Sequence, residues 1–430
     1  MRERRLNPIL GIIIIIVGGC AIGILLSMLI NDGQNANNNV HISPTPTQAI
    51  GENIQSTPSP TSPPTVAPTS EPTVSPTPSP TPTPLPTASI KVKGLYLTTN
   101  TVGNPSRLQH FIDLANKTEI NSYVIDVKDD YGKICYETQV PLALKHDAWD
   151  KLYDVKEVIK KLHDNNIKVI GRVVCFSDPL MPLKEPDMSL KNNSGGVFKA
   201  PIGNSHLAWL DPSKEEAWQY IIDIAEEALS LGFDEIQYDY VRFPETTNFK
   251  YDMSYFEKEK SEYIDGFIKA SLDQMPGIKL SADIFGSVCL QRGDAGGIGQ
   301  TLESISERIH YISPMIYPSH YANDSNHYSG NGVGTNINGT HYPKPDLEPY
   351  KIIYNALLVT KQRLENAGHD VQVRPYLQGF TATYLPEGYY IEYGVEQYRD
   401  QIQAVYDAGY SEWIFWNSGN NYIEGAFLPE

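Results

Sequence analysis

The stretch Phe233–Pro244, FDEIQYDYVRFP, decides the fold. Read as a strand, it sets Ile236, Tyr238 and Tyr240 on one face and Gln237 and Asp239 on the other. Pro244 cannot donate to a ladder, so the strand ends before it. Asp239 then lies near the carboxyl end of a short strand, ahead of a loop that carries Arg242. In a parallel barrel that end is where active sites are built. Taken alone, the stretch reads equally well as an ordinary strand whose Asp caps a turn. The rest of the chain decides between the two.

From Ile90 onward strands and helices alternate. Strands are expected at Lys93–Leu97, Ser122–Val127, Lys168–Cys175, the Asp239 stretch, Lys279–Ile284, Tyr311–Ile316, Gln372–Leu377 and Glu412–Trp416. Helical spacing falls near Ser106–Asn116, Asp154–Asn165, Glu215–Leu231, Tyr255–Asp273, Thr301–Arg308, Pro349–Ala367 and Val395–Ala408. Residues 179–204 and the Asn- and Gly-rich 323–340 read as loops. Eight strands separated by helices predict an α/β fold, a (β/α)8 TIM barrel over residues 90–430.

Alternation then names the inward residues near the carboxyl ends. They are Asp126 and Lys128 on the second strand, Arg172 on the third, Gln237 and Asp239 on the fourth, and Ser281 and Asp283 on the fifth. Tyr317 follows the sixth strand, and Arg374 and Gln378 belong to the seventh. Barrel interiors are normally filled with Val, Ile and Leu, and unpaired charges there cost several kcal/mol each. A functional mouth explains such a set; an internal salt-bridge network is the structural alternative.

Asp239 and Asp283 come from neighbouring strands, about 4.8 Å apart. Two carboxyls so placed suit glycosidic bond cleavage, one as nucleophile or base and the other as acid. Their proximity pushes the two pKa values apart. Asp126 is a third catalytic candidate, while Asp129 and Asp130 read as a solvated turn. Arg242, Arg172 and Lys128 are expected to keep the ionised partner charged. With Gln237, Tyr317, His320, Arg374, Gln378 and Trp416 they form the expected substrate-binding set. Phe176, Trp209, Tyr240, Tyr321 and Phe380 add flat faces on which sugar rings stack, and about half of the aromatics are expected to line a groove.

The charge balance limits the partners. Lys and Arg number 34 against 51 Asp and Glu, a net −17, nearly all of it after residue 89. That argues against nucleic acid or an anionic lipid surface as the main partner. Cys135, Cys175 and Cys289 show no CxxC spacing and read as buried hydrophobes, with one disulfide as the lesser alternative. No GxSxG, Walker, GxGxxG or HExxH motif is present. His310, His320, His327 and Asp324 lack recognised metal spacing, so neither metal nor cofactor is expected.

Ahead of the barrel, residues 1–8 carry Arg2, Arg4 and Arg5, and 9–30 are 22 residues without a charge. That length spans a bilayer as a helix, and the basic flank places the N-terminus in the cytoplasm. A cleaved signal peptide and a lipoprotein box at Val17–Cys20 are the rival readings, disfavoured by the length of the apolar run. Residues 31–89 form a disordered linker, with 12 prolines among the 29 residues from Pro58 to Pro86. As polyproline II that part reaches about 90 Å. The expected location is the cell membrane, single-pass, with the barrel outside.

The motifs DVKDD (126–130), FDEIQYDYVRFP (233–244), ADIFG (282–286) and ISPMIYPSHY (312–321) resemble, in order, those of a known family. It is the glycoside hydrolase domain family of anchored or secreted bacterial proteins, within the TIM-barrel glycosidase superfamily. The resemblance runs from about Lys93 to Phe427. It implies a barrel acting on a polysaccharide, with Asp239 as leading catalytic residue. Many related barrels use Glu for the acid role, where this chain has Asp283. A non-catalytic carbohydrate-binding or wall-organising barrel is the second functional reading. A metal-dependent deacetylase or phosphoesterase is the third.

Overall fold

The computed structural model describes residues 90–202, 205–245, 250–294 and 296–429. The expected tail, membrane span and linker lie outside them. Among the described residues no helix is long and apolar enough to cross a membrane.

Eight parallel strands close into a barrel. They are β1 (Lys93–Leu97), β2 (Ser122–Lys128), β3 (Lys168–Val174), β4 (Glu235–Asp239), β5 (Leu280–Phe285), β6 (Tyr311–Met315), β7 (Gln372–Val373, resumed at Tyr376–Gln378) and β8 (Trp413–Trp416). Each pairs with the next, and β8 returns to β1 through Lys93–Trp413, Gly94–Ile414 and Leu95–Phe415. The break in β7 falls at Pro375, which has no amide hydrogen for the ladder.

Helices α1 (Pro105–Ala115), α2 (Val155–His163), α3 (Glu215–Leu231), α4 (Lys260–Gln274), α5 (Leu302–Arg308), α6 (Pro349–Ala367) and α7 (Val395–Asp407) follow β1 to β7 in turn. After β8 the corresponding position holds a single 3-10 turn, Glu424–Ala426. Starts and stops are encoded locally. Asn104 caps α1 by accepting from the amides of Ser106 and Arg107, and Asp154 caps α2 through Glu157. Gly232 ends α3 at φ 111, a conformation that a side chain would strain.

Two expected loops contain short regular pieces. Strands Lys199–Ile202 and Ser205–Ala208 pair antiparallel within the first. In the second, Thr335–Ile337 pairs with Thr340–Tyr342 across Asn338-Gly339, both at positive φ. Asn-Gly is the preferred pair for such a two-residue turn. Cys135, Cys175 and Cys289 are buried free thiols.

Two apolar layers hold the barrel. The outer one lies between strands and helices; the inner one is small, with Val92, Tyr96, Val124, Ile170, Tyr376 and Ile414. Polar side chains fill the rest of the interior. At its amino end Glu235, the first residue of β4, pairs with Arg374 and Lys168, and Arg374 lies 3.8 Å from Glu412. Against a burial that would raise it, Arg374 and Lys168 hold the Glu235 carboxyl down to about 2. Arg374, expected at the substrate mouth, is therefore a fully buried brace at the opposite end. Removing one member of a buried ion pair strands the other charge, at about 3–5 kcal/mol. Arg374→Ala is expected to lose that much stability in urea unfolding.

Candidate active site

Arg172 stands at the centre of the carboxyl-end mouth. Its Nε and Nη2 both donate to Asp239 Oδ2, at 2.9 and 2.6 Å. Nη1 donates to Asp126 Oδ1 at 2.8 Å and Asp130 Oδ2 at 3.2 Å, and Nη2 reaches Asp130 Oδ1 at 3.3 Å. The ladder brings these groups together, because Asp126 lies opposite Arg172 on β2 and β3, and Val174 opposite Asp239 on β3 and β4. Burial opposes the guanidinium charge, yet the carboxylates of Asp130, Asp239 and Asp126 hold Arg172 well above its ordinary range.

Asp239 is fixed from both sides. Its Oδ1 accepts from the Tyr240 amide at 2.7 Å, and Tyr240 itself sits at φ 49. A bulky residue in the left-handed region carries strain, here at the turn that leaves β4. Asp283 is the contrasting carboxyl. Gln237 pairs with Ser281 and Tyr238 with Ala282, so continuing the register sets Asp239 beside Asp283. Asp283 is 3% exposed, and its Oδ1 has no hydrogen-bond partner. Burial first, and then the Asp239 charge, push its carboxyl well above the usual range. Asp239 is thus paired with a guanidinium while its neighbour is biased toward the protonated acid.

Asp126 is also raised, by burial and the Asp130 charge against the pull of Arg172. Its Oδ2 accepts from Tyr96 Oη at 2.6 Å. Tyr96 and Asp130 were not among the expected site residues. Alternation in KGLYL already points Tyr96 inward, whereas the DVKDD turn gives no sign that Asp130 folds back to Arg172.

The mouth also holds Trp416, whose ring stacks on Tyr96 at 6.4 Å and lies 6.0 Å from Tyr317 and 5.6 Å from Phe380. His320 is 5.1 Å from Tyr317. Trp416, Tyr317, Phe380 and His320 thus form one cluster of rings. Phe176 instead packs in the core against Phe267, and Trp209 is buried.

Four further expectations need correction. A register shift between Asp126 and Lys128 sets Lys128 opposite Val173, a residue of the outer layer. Lys128 is fully buried there, 3.0 Å from Asp178 and donating to the Val174 carbonyl. Arg242 lies among the rings of Trp209, Tyr240 and Phe285, at 5.2, 5.0 and 4.6 Å, and donates to the Phe243 carbonyl. Gln237, fully buried, donates to Ser313 and accepts from Tyr376 beneath the carboxyls. Gln378 is buried too and ties Ser319 to Asp346. Among the described residues no group of three or more His, Cys, Asp or Glu is placed to hold a metal ion.

A family model described as "Putative glycosyl hydrolase domain" matches residues 94–422. The chain belongs to that glycosyl hydrolase family. No curated protein matches it. A hypothetical protein from Ruminiclostridium thermocellum ATCC 27405 is 48% identical over 44% of this chain and 96% of its own, with a TM-score of 0.42. The PgaB (BpsB) glycoside hydrolase domain from Bordetella bronchiseptica is 12% identical, over 76% of this chain and 94% of its own, with a TM-score of 0.54. That likeness is one of fold. This glycosyl hydrolase domain thus carries its cluster of carboxyls at the end of the barrel where such folds place their chemistry.

Arg172→Met leaves three carboxylates facing one another. The Asp126 carboxyl, raised by burial and held down by Arg172, then rises further above its unfolded value, so stability falls as pH rises through it. The variant is expected to lose about 3–5 kcal/mol at pH 7 and distinctly less at pH 5, read by urea unfolding.

Proposed function

We propose that this chain is a membrane-anchored extracellular glycoside hydrolase that cleaves a cell-wall or extracellular polysaccharide by two-carboxylate catalysis. The observation that carries the reading is the unequal state of two carboxyls on adjacent strands. Asp239 is paired with Arg172, and Asp283 is buried with an unpartnered oxygen. Membership of the glycosyl hydrolase family supports the reaction class.

In this mechanism Asp283 donates its proton to the glycosidic oxygen as the bond breaks. Asp239 serves as nucleophile and forms a glycosyl ester, which water, deprotonated by Asp283, then hydrolyses, restoring both carboxyls. Arg172 keeps Asp239 ionised and fixes its orientation. Asp126, tied to Tyr96 and Arg172, acts as a positioning residue. Trp416 and Tyr317 offer ring faces to a sugar. The apolar segment 9–30 serves as the anchor, with the N-terminus in the cytoplasm, and 31–89 as the spacer holding the barrel away from the membrane. The net charge of −17 disfavours nucleic acid as a partner.

Release of new reducing ends by the full chain across polysaccharides and peptidoglycan tests this. Asp239→Asn is expected to abolish turnover while retaining glycan binding. Asp283→Asn should lower kcat by about 10²–10⁴-fold on unactivated substrates. Wild-type activity should fall as pH rises through the raised Asp283 pKa, and that alkaline limb should be absent in Asp283→Asn. Glycan binding with no turnover of any member would identify a carbohydrate-binding barrel instead.

A further inference from the structure

A second guanidinium stands at this end of the barrel. Arg242 lies three residues beyond Asp239 and is 8% exposed. The ring faces of Trp209, Tyr240 and Phe285 surround it. Its Nη1 donates to the Phe243 carbonyl at 3.1 Å. Among the described residues it has no carboxylate partner, and its Nε and Nη2 have no hydrogen-bond acceptor. Neither nitrogen is sealed from solvent, unlike Arg374 Nε. Nε and Nη2 form the edge with which Arg172 holds Asp239.

The position of Arg242 is set by β5. Asp283 pairs with Ser313 and Phe285 with Met315, so Phe285 lies on the Asp283 face of that strand, about 7 Å nearer its open end. Met315 packs on the inner apolar layer, which places this face inside the mouth. The Arg242 guanidinium sits 4.6 Å from the centre of the Phe285 ring. A guanidinium largely out of water with no anion beside it is costly to bury. Ring faces recover part of that cost, but they offer its N–H groups no lone pair.

We propose that Arg242 receives a carboxylate of the substrate, which makes the polymer an acidic one, carrying uronic acids or lactyl-ether sugars; the inference rests on the glycosidase reading above. A carboxylate brings two acceptor oxygens in one plane to the two N–H groups of the Nε–Nη2 edge. It also supplies the anion that the buried guanidinium lacks. An ammonium at the same place meets a like charge, and a neutral hydroxyl offers one weaker acceptor. The net charge of −17 opposes an acidic polymer at long range, but salt screens that repulsion beyond about 8 Å, so the contact decides. Arg172 is committed to the catalytic carboxyls, and Arg242 is left for the substrate.

The test uses the full chain carrying Asp283→Asn, with binding read by calorimetry. Its probes are short oligomers of β-1,4-glucuronic acid, of α-1,4-galacturonic acid and of alternating N-acetylglucosamine and N-acetylmuramic acid. Each is offered with its carboxyls free or methyl-esterified, so that only the charge differs. One free acid is expected to bind at least about tenfold tighter than its ester, and the member that does so names the carboxylate as uronic or lactyl. Arg242→Met should remove most of that ratio, and Arg242→Lys, which keeps the charge without the fork, part of it. A mere brace for the rings would weaken acid and ester alike and leave the ratio in place. Equal binding within every pair, binding of no member, tighter binding of the esters, or an unaltered ratio in Arg242→Met overturns the subsite. If Arg242→Met does not fold, an unaltered ratio in Arg242→Lys does so. The reducing-end panel separates the two failures. Turnover confined to polymers without carboxylates rejects the subsite and keeps the glycosidase, whereas silence on every polymer rejects both.

Discussion

One guanidinium serving several carboxyls is the interaction on which the mouth of this barrel depends. Arg172 donates to Asp239, Asp126 and Asp130, while Asp283 Oδ1 has no hydrogen-bond partner. A single positive charge cannot balance four buried or half-buried carboxyls. Burial first, and then the neighbouring carboxylate charges, raise both Asp283 and Asp126. Asp239 takes two of the guanidinium's contacts, at 2.9 and 2.6 Å. The division of labour needed for acid/base chemistry thus follows from burial together with the shortage of cations.

The rest of the barrel interior lets that shortage persist. At the amino end Glu235 is matched by Arg374 and Lys168, so the floor is close to neutral. Between floor and mouth, Gln237, Ser313 and Tyr376 satisfy one another, and no further charge is needed there. The strained Tyr240 turns the chain sharply after Asp239 and directs its amide back to the carboxylate. Floor, middle and turn each remove a way in which the mouth could relax.

Period-two patterning carried the barrel. All eight strands were legible, since each is a short apolar run between helical segments, and α3 and α6 match to the residue. The carboxyl ends also identified Asp239, Asp283, Asp126 and Arg172 as one cluster. Alternation fails where the ladder slips, which is why Lys128 faces away from the interior. It also cannot tell the two ends of a strand interior apart by residue type, so Arg374 was placed at the mouth rather than the floor. Asp130 and Gln378 depend on how loops fold back, information that no local periodicity contains. The Asn338-Gly339 hairpin was readable in principle and hidden by its polar surroundings.

The central claim is that Asp283 is a neutral acid beside the Arg172-bound Asp239. Infrared difference spectroscopy of the carboxyl stretch, wild type against Asp283→Asn at neutral pH, reads it directly. A protonated-carboxyl band lost in Asp283→Asn, with the ionised band unchanged, is the predicted result. Loss from the ionised carboxylate band instead would show Asp283 charged at neutral pH and would contradict the account.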